Sequence, residues 1–198
     1  MAAVEKNVFD SGLLNAIADR LRDGDDGDAR RLFTRAGGKA PTVIWNPDPE
    51  ALPKDGLQFL LKHWRGMAGE CSVPSVSALD PLDLRPVLGN VILIDVVDDG
   101  GDFRYRLYGT KIAHVSSADK TGCRMSEIDT LAAQFFYVVY RAVLLRPEPI
   151  YTYHHPTGTT NFRSWHRVIL PLANASGEIV RFLVGCYPDP KSAELDDL

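Results

Sequence analysis

The sequence predicts an α+β domain in which helices cover one face of a single antiparallel sheet. Three observations lead to this fold class. Strand-like segments form two groups, one before and one after a long helix. Turn residues join neighbouring strands into hairpins. The helix between the groups is a long apolar segment, predicted over residues 130–146 and ended by Pro147.

The strand predictions follow from periodicity. "NVILIDVV" (90–97) is almost continuously apolar and β-branched, which is typical of a strand buried on both faces. "FRYRLY" (103–108) alternates apolar and polar residues, and "DDGGD" between the two is strong turn chemistry. Three further strands are predicted over 149–156, 161–173 and 178–187, with "NASG" joining the last two. The prediction is therefore five strands.

Residues 1–56 read as an N-terminal helical extension with a proline-rich connector, followed by the folded domain (57–187) and an acidic tail (188–198). In the extension, Leu13, Ile17 and Leu21 form an apolar stripe on one helix, with Asp10 or Ser11 as the N-cap. Such a stripe must be covered, and the last strands are apolar on both faces. Either the protein's own extension or a second copy must cover the face away from the long helix, and we expect a homodimer formed partly by the extension.

Composition excludes several classes of function. The chain has 198 residues, 45% of them hydrophobic, and a net charge of −4, which argues against nucleic acid as the main partner. Its three cysteines are widely spaced, which disfavours a disulfide framework or a zinc site. Apolar runs of membrane-spanning length are absent from the sequence, as is the apolar core of a signal peptide. We expect a cytoplasmic protein that does not bind membranes.

Five stretches in order resemble the PAS domain family, and in particular a compact bacterial PAS-like subgroup. They are "HWRGM", "DPLDLRPVLGNVILIDV", "FRYRLYGTKI", "DKTGCRMSEI" and "RVILPLANASGEIVRFLVG", within residues 57–187. The resemblance implies a PAS-like five-stranded antiparallel sheet with helices on one face. It also implies a non-enzymatic sensory or signalling module that binds a small ligand, a partner protein or both. After Tyr187 only "PDPKSAELDDL" follows, so we expect the module to act in trans.

The resemblance also gives a role to the segment after the second strand. In PAS domains this strand runs into short helices that wall a pocket against the sheet. Gly109 then stands where the backbone leaves the strand at close quarters, and a side chain would clash there. We expect this segment to be a pocket wall.

The candidate ligand-binding residues are aromatic and basic side chains on the helix and strands around that pocket. On the strand after Asn161, Trp165 and Arg167 share one face with Arg163, and His166 lies on the other. The sequence does not fix which face lines the pocket, and the arginine face could bind an anionic ligand, bind a partner's carboxylates or be solvated. The predicted set is Tyr108, Phe136, Tyr140, Tyr153, Trp165, His166 and Arg167.

Catalytic and metal sites are not predicted. The adjacent residues His154 and His155 must point to opposite faces of a strand and cannot share one metal ion. Ser164 and His166 lack any surrounding nucleophile signature. The alternative function is a small α+β enzyme or carrier with Tyr140, His166 and an arginine in one pocket, which requires perturbed titratable groups to converge there.

We predict that the purified protein is colourless and carries no haem or flavin. The long helix contains no histidine to serve as an axial haem ligand. Cys123 lacks the asparagine, phenylalanine, leucine and glutamine that surround the cysteine of flavin-binding photoreceptor PAS domains. An absorption spectrum tests this prediction, and a Soret or flavin band at stoichiometric strength would contradict it.

Overall fold

A six-stranded antiparallel sheet forms the centre of the molecule. The computed structural model describes residues 9–35, 38–128, 130–155 and 162–190. The sheet order is β1-β4-β5-β6-β2-β3, so the two longest strands occupy the middle. The strands are β1 (Thr42–Trp45), β2 (Val91–Val97), β3 (Asp102–Tyr108), β4 (Ile150–His154), β5 (Phe162–Ala173) and β6 (Ile179–Pro190). The α+β class with an antiparallel sheet is confirmed, and β1 adds a sixth strand within the proline-rich connector.

Five α-helices surround the sheet in the part of the chain that the structure describes. They are α1 (Ser11–Arg22), α2 (Gly27–Arg35), α3 (Asp55–Ala68), α4 (Thr110–Ser116) and α5 (Leu131–Leu145). Side-chain caps fix two of the starts, as expected for these residue types. The carboxylate of Asp10 accepts a hydrogen bond from the Leu13 amide, and Thr130 Oγ1 accepts one from the Ala133 amide, both at 3.1 Å. Within the described ranges, every helix is too short or too polar to cross a membrane.

Helix α5 is buried almost all round because it lies between two layers. One side packs against the sheet, while α1 and α2 pack on the other side. A helix that is apolar on all faces must be enclosed in this way. Its buried residues are Ala133, Gln134, Phe135, Phe136, Tyr137, Val138, Val139, Tyr140, Ala142 and Val143.

Helix α3 covers the opposite face of the sheet, so helices lie on both faces rather than one. Leu57, Leu60 and Trp64 pack with the apolar residues of β5 and β6 that point away from α5. The indole Nε1 of Trp64 donates a hydrogen bond of 2.6 Å to the Pro171 carbonyl, which ties α3 to β5.

The chain itself covers the surfaces from which a homodimer was expected. Ile17 and Leu21 of α1 are buried against α5, while Leu13 remains 52% exposed. The second apolar face of the last strands lies under α3. The homodimer stays a prediction, but the need to cover these surfaces no longer supports it.

The C-terminal strand runs further than the sequence indicated. β6 continues to Pro190, so the first residues of the predicted acidic tail belong to the sheet. Residues 191–198 lie outside the described part of the chain.

Gly109 stands where β3 passes into α4, and the space there is too small for a side chain. A Cβ atom at this position would lie 2.5 Å from the Gly89 carbonyl oxygen and 2.7 Å from that of Val91. Both are backbone atoms, so neither can rotate away. The role predicted for Gly109, a close approach where the chain leaves the strand, is confirmed.

We predict that Gly109→Ala lowers the free energy of unfolding by about 1 to 3 kcal/mol, because the new methyl group forces the backbone of residues 89–91 to shift. Gly66→Ala is the matched control, since a Cβ atom at this exposed position in α3 would meet nothing within 4 Å. There the same substitution should stabilise by about 0.5 to 1 kcal/mol through helix propensity. Urea unfolding measures both, and equal effects would contradict the steric argument.

Candidate ligand-binding site

A cavity of about 180 Å³ lies between the sheet, α4 and the N-terminal half of α5. Its inner walls are buried, whereas its mouth is formed by partly exposed residues of the 116–120 segment and the start of α5. The lining residues are Phe33, Tyr105, Tyr108, Ile112, Ser116, Lys120, Thr130, Ala132, Ala133, Phe136, His154, Trp165 and Arg167. The segment after Gly109 therefore does form a wall of a cavity.

A β-bulge in β3 supplies two of the lining tyrosines. Leu93 and Ile94 of β2 pair with Leu107 and Tyr105, so Arg106 is the extra residue. A bulge moves the residues beyond it to the other face of the sheet. Tyr108, which simple alternation places opposite Tyr105, consequently shares the cavity face, and the two rings stand 5.5 Å apart.

Neighbouring strands β4 and β5 supply the lining residues His154, Trp165 and Arg167. His154 pairs with Trp165, and Thr152 pairs with Arg167, so the four side chains share one face. This is the α5 face of the sheet, where Ile169 and Val184 belong to the core around α5. The structure thus decides a question that the sequence left open: Trp165 and Arg167 face inward.

Arg167 is a buried cation without a carboxylate partner among the described residues. It is 8% exposed, and its Nη2 donates to the Cys186 sulfur, at 3.6 Å. Its Nε and Nη1 are buried and find no hydrogen-bond partner in the described part of the chain. Its Cζ atom lies 3.7 Å from the centroid of the Phe136 ring, a cation–π contact.

Three more buried side chains near Arg167 have polar atoms without a partner among the residues described: the Tyr140 hydroxyl, the Thr152 hydroxyl and Nδ1 of His154. Burial raises the pKa of Tyr140 to about 12, and nearby Arg167 offsets part of that rise. Burial, followed by the charge of Arg167, lowers the pKa of His154 well below its usual range. Both groups are therefore neutral at neutral pH. Buried polar atoms are normally hydrogen-bonded, so such a cluster is typical of a binding site.

The structure brings some of the predicted site residues together and separates others. Tyr108, Phe136, Trp165 and Arg167 line the cavity. Tyr140 lies one helical turn beyond Phe136, buried against the Phe182 ring at 5.5 Å. The side chain of Arg163 lies outside the described residues.

Tyr153 and His166 lie on the opposite face of the sheet, away from this cavity. Tyr153 packs against the core under α3. His166 takes part in a polar cluster, since its Nδ1 contacts the Tyr151 hydroxyl at 2.7 Å and its Nε2 contacts Asp189 at 2.8 Å. The enzyme alternative needs His166 beside Tyr140 and Arg167, and the sheet stands between them.

The cluster around Asp189 fastens the end of β6 to its neighbours. Ser164 Oγ donates to Asp189 at 2.7 Å, and Lys54 forms an ion pair with the same carboxylate. Partial burial alone would raise the pKa of this carboxyl. The hydrogen bonds from Lys54, Ser164 and His166 outweigh that and hold the pKa well below its usual range. The seryl oxygen meets the carboxylate rather than the imidazole, so the cluster is not a nucleophile–base arrangement.

The sequence reasoning missed several lining residues. Phe33 belongs to the N-terminal extension, and its ring lies 5.1 Å from that of His154. Nothing in the local pattern of α2 indicates that contact. His154 and Tyr105 could have been found from strand alternation, once Trp165 was known to face inward. The described residues contain no group of three or more His, Cys, Asp or Glu side chains placed to hold a metal ion.

The comparison with protein families identifies this architecture. A family model described as a PAS domain matches residues 54–187, which is more than half of the chain. The chain belongs to the PAS domain family. No curated protein sequence and no solved structure matches it significantly. In this PAS domain the match begins just before α3 and ends in β6, so α1, α2 and β1 lie outside it. Membership in this family indicates a sensory or signalling module.

We predict that Arg167→Met raises the free energy of unfolding of the ligand-free PAS domain by about 1 to 4 kcal/mol, because it replaces an uncompensated buried charge by an apolar side chain of similar length. Arg181→Met is the control, since Arg181 pairs with Asp95 at 2.8 Å and its replacement should not stabilise. Chemical denaturation of both variants tests this. A destabilised Arg167→Met protein would show that the charge is compensated in the fold.

Proposed function

We propose that this PAS domain is a non-enzymatic sensory module that binds a small molecule in the cavity and acts in trans through a partner protein. The observation that supports binding is that two lining residues, His154 and Arg167, have buried polar atoms without partners among the described residues. A fold keeps such groups at a cost of roughly 1 to 3 kcal/mol each, and a ligand that hydrogen-bonds to them offsets that cost.

The N-terminal extension provides a route by which ligand binding in the cavity is transmitted to the partner protein. Phe33 of α2 lines the cavity and contacts the rings of Phe135 and Phe136 on α5, at 4.8 and 6.4 Å. Helices α1 and α2 also pack along α5. A ligand that displaces Phe33 or Phe136 therefore shifts the extension relative to the sheet, and the partner would read that change.

Blocking the cavity mouth tests the proposal. Ala132 lines the cavity at the start of α5 and is partly exposed, so we expect the indole of Ala132→Trp to fill the mouth. Native mass spectrometry of the protein purified from its own host should show a retained small molecule in the wild type and none in this variant. A metabolite panel should likewise raise the melting temperature of the wild type only.

Leu145→Trp is the matched control, because it places the same side chain at the exposed end of α5, away from the cavity. It should bind as the wild type does. Binding that survives Ala132→Trp, or a wild type that retains nothing and responds to no compound of the panel, would contradict the proposed function.

A further inference from the structure

The charge of the cavity restricts what it can bind. No Asp or Glu is found among its described lining residues, which include two cationic side chains, Arg167 and Lys120. Lys120 is partly buried at the mouth, where burial and then Arg167 lower the pKa of its ammonium group. Two neighbouring cations with no acidic side chain among the described lining residues attract an anion.

The groups around Arg167 do not supply that anion. Burial raises the pKa values of the Cys186 thiol and of the Tyr105 and Tyr140 hydroxyls, so all three are neutral at neutral pH. Arg181 makes an instructive contrast, since it holds Asp95 at 2.8 Å. An arginine guanidinium cannot lose its proton in a protein, so the charge of Arg167 persists, and no carboxylate among the described residues compensates it.

The first turn of α5 adds to the positive potential. Ala132 and Ala133, at the N-terminal end of this 15-residue helix, line the cavity together with the N-cap residue Thr130. A helix N-terminus carries about half a positive charge and favours anions nearby. The positive end of the helix dipole and the charge of Arg167, on the opposite wall, therefore favour the same anionic ligand.

The size and the remaining walls restrict the rest of the ligand. The volume of about 180 Å³ is slightly larger than a cavity of about 150 Å³ that holds one benzene molecule. The inner walls are mostly aromatic or aliphatic: Phe33, Tyr105, Ile112, Phe136 and Trp165. A multiply charged anion such as phosphate would lose its hydration against these walls and find few donors, whereas a compact apolar body gains by burial.

We propose that the ligand is a small monocarboxylate with an apolar body about the size of one aromatic ring, its carboxylate held by Arg167. The inference rests on the proposed function, because it names the class of molecule that the cavity takes. The partly exposed mouth at Lys120 attracts the acid, and the apolar body packs between Phe136 and Trp165. His154, which also lines the cavity, supplies a further hydrogen bond through Nδ1.

Calorimetric titration of the full chain after exhaustive dialysis tests the ligand class. The probes are benzoate and 3-methylbutanoate, their neutral counterparts benzamide and 3-methylbutanamide, and inorganic phosphate. We expect at least one carboxylate to bind at least about tenfold more tightly than its amide, since a hydrogen-bonded charge pair contributes that much. Phosphate should not compete.

Three variants assign the preference to Arg167. Arg167→Met should abolish the tenfold preference for the acid while leaving amide binding unchanged, and Arg167→Lys should keep a preference for the acid because the charge remains. Arg106→Met, at an exposed arginine on the other face of the sheet, should behave as the wild type. Circular dichroism checks that each variant is folded.

The following results would overturn the proposal that the ligand is a monocarboxylate. Amides that bind as tightly as the acids, phosphate that binds in their place, or an acid preference that survives Arg167→Met would each exclude the carboxylate. The absence of binding by every probe would exclude it too. The proposed function itself fails separately, if Ala132→Trp changes neither the retained molecule nor the response to the metabolite panel.

Discussion

The two central strands have apolar residues on both faces, and the rest of the fold depends on covering both. Ile169 of β5 and Val184 of β6 face α5, whereas Val168 and Leu183 face α3. Neither face can stay in water, because each exposed square ångström of apolar surface costs about 25 cal/mol. Covering both faces requires at least one helix on each, and α3 and α5 are those helices. The ion pairs and caps of the surface then only adjust a fold already fixed by these two contacts.

The same requirement explains why the N-terminal extension is part of the fold. Helix α5 is apolar on the side that faces away from the sheet, so it needs a second cover of its own, and α1 and α2 provide that layer. Phe33 thereby reaches the cavity from a segment outside the family match. Packing, rather than any motif, connects the extension to the candidate site.

Arg167 is an exception to this burial of apolar side chains. A core that buries apolar side chains on both faces of β5 nevertheless holds a guanidinium there, beside hydroxyl and imidazole groups that lack partners among the described residues. Such an arrangement costs stability and is typical of sites that a ligand completes. The polar cluster around Asp189, on the other face, shows the contrasting case, because its groups satisfy one another. The cluster around Arg167 therefore suits ligand binding, whereas the cluster around Asp189 holds the end of β6 in place.

The sequence by itself determined the class of the domain, the order of its elements, the hairpins, the place where Gly109 lets the chain leave β3 and the family resemblance. These features depend on local periodicity, turn chemistry and backbone space, which a few neighbouring residues specify. Only the tertiary structure decided that Arg167 and Trp165 face the cavity while His166 and Tyr153 face away. It also decided that the bulge at Arg106 turns Tyr108 inward and that Phe33 closes one wall. A strand pattern tells which residues share a face, but the register of the sheet and the helices packed on it choose which face becomes the pocket.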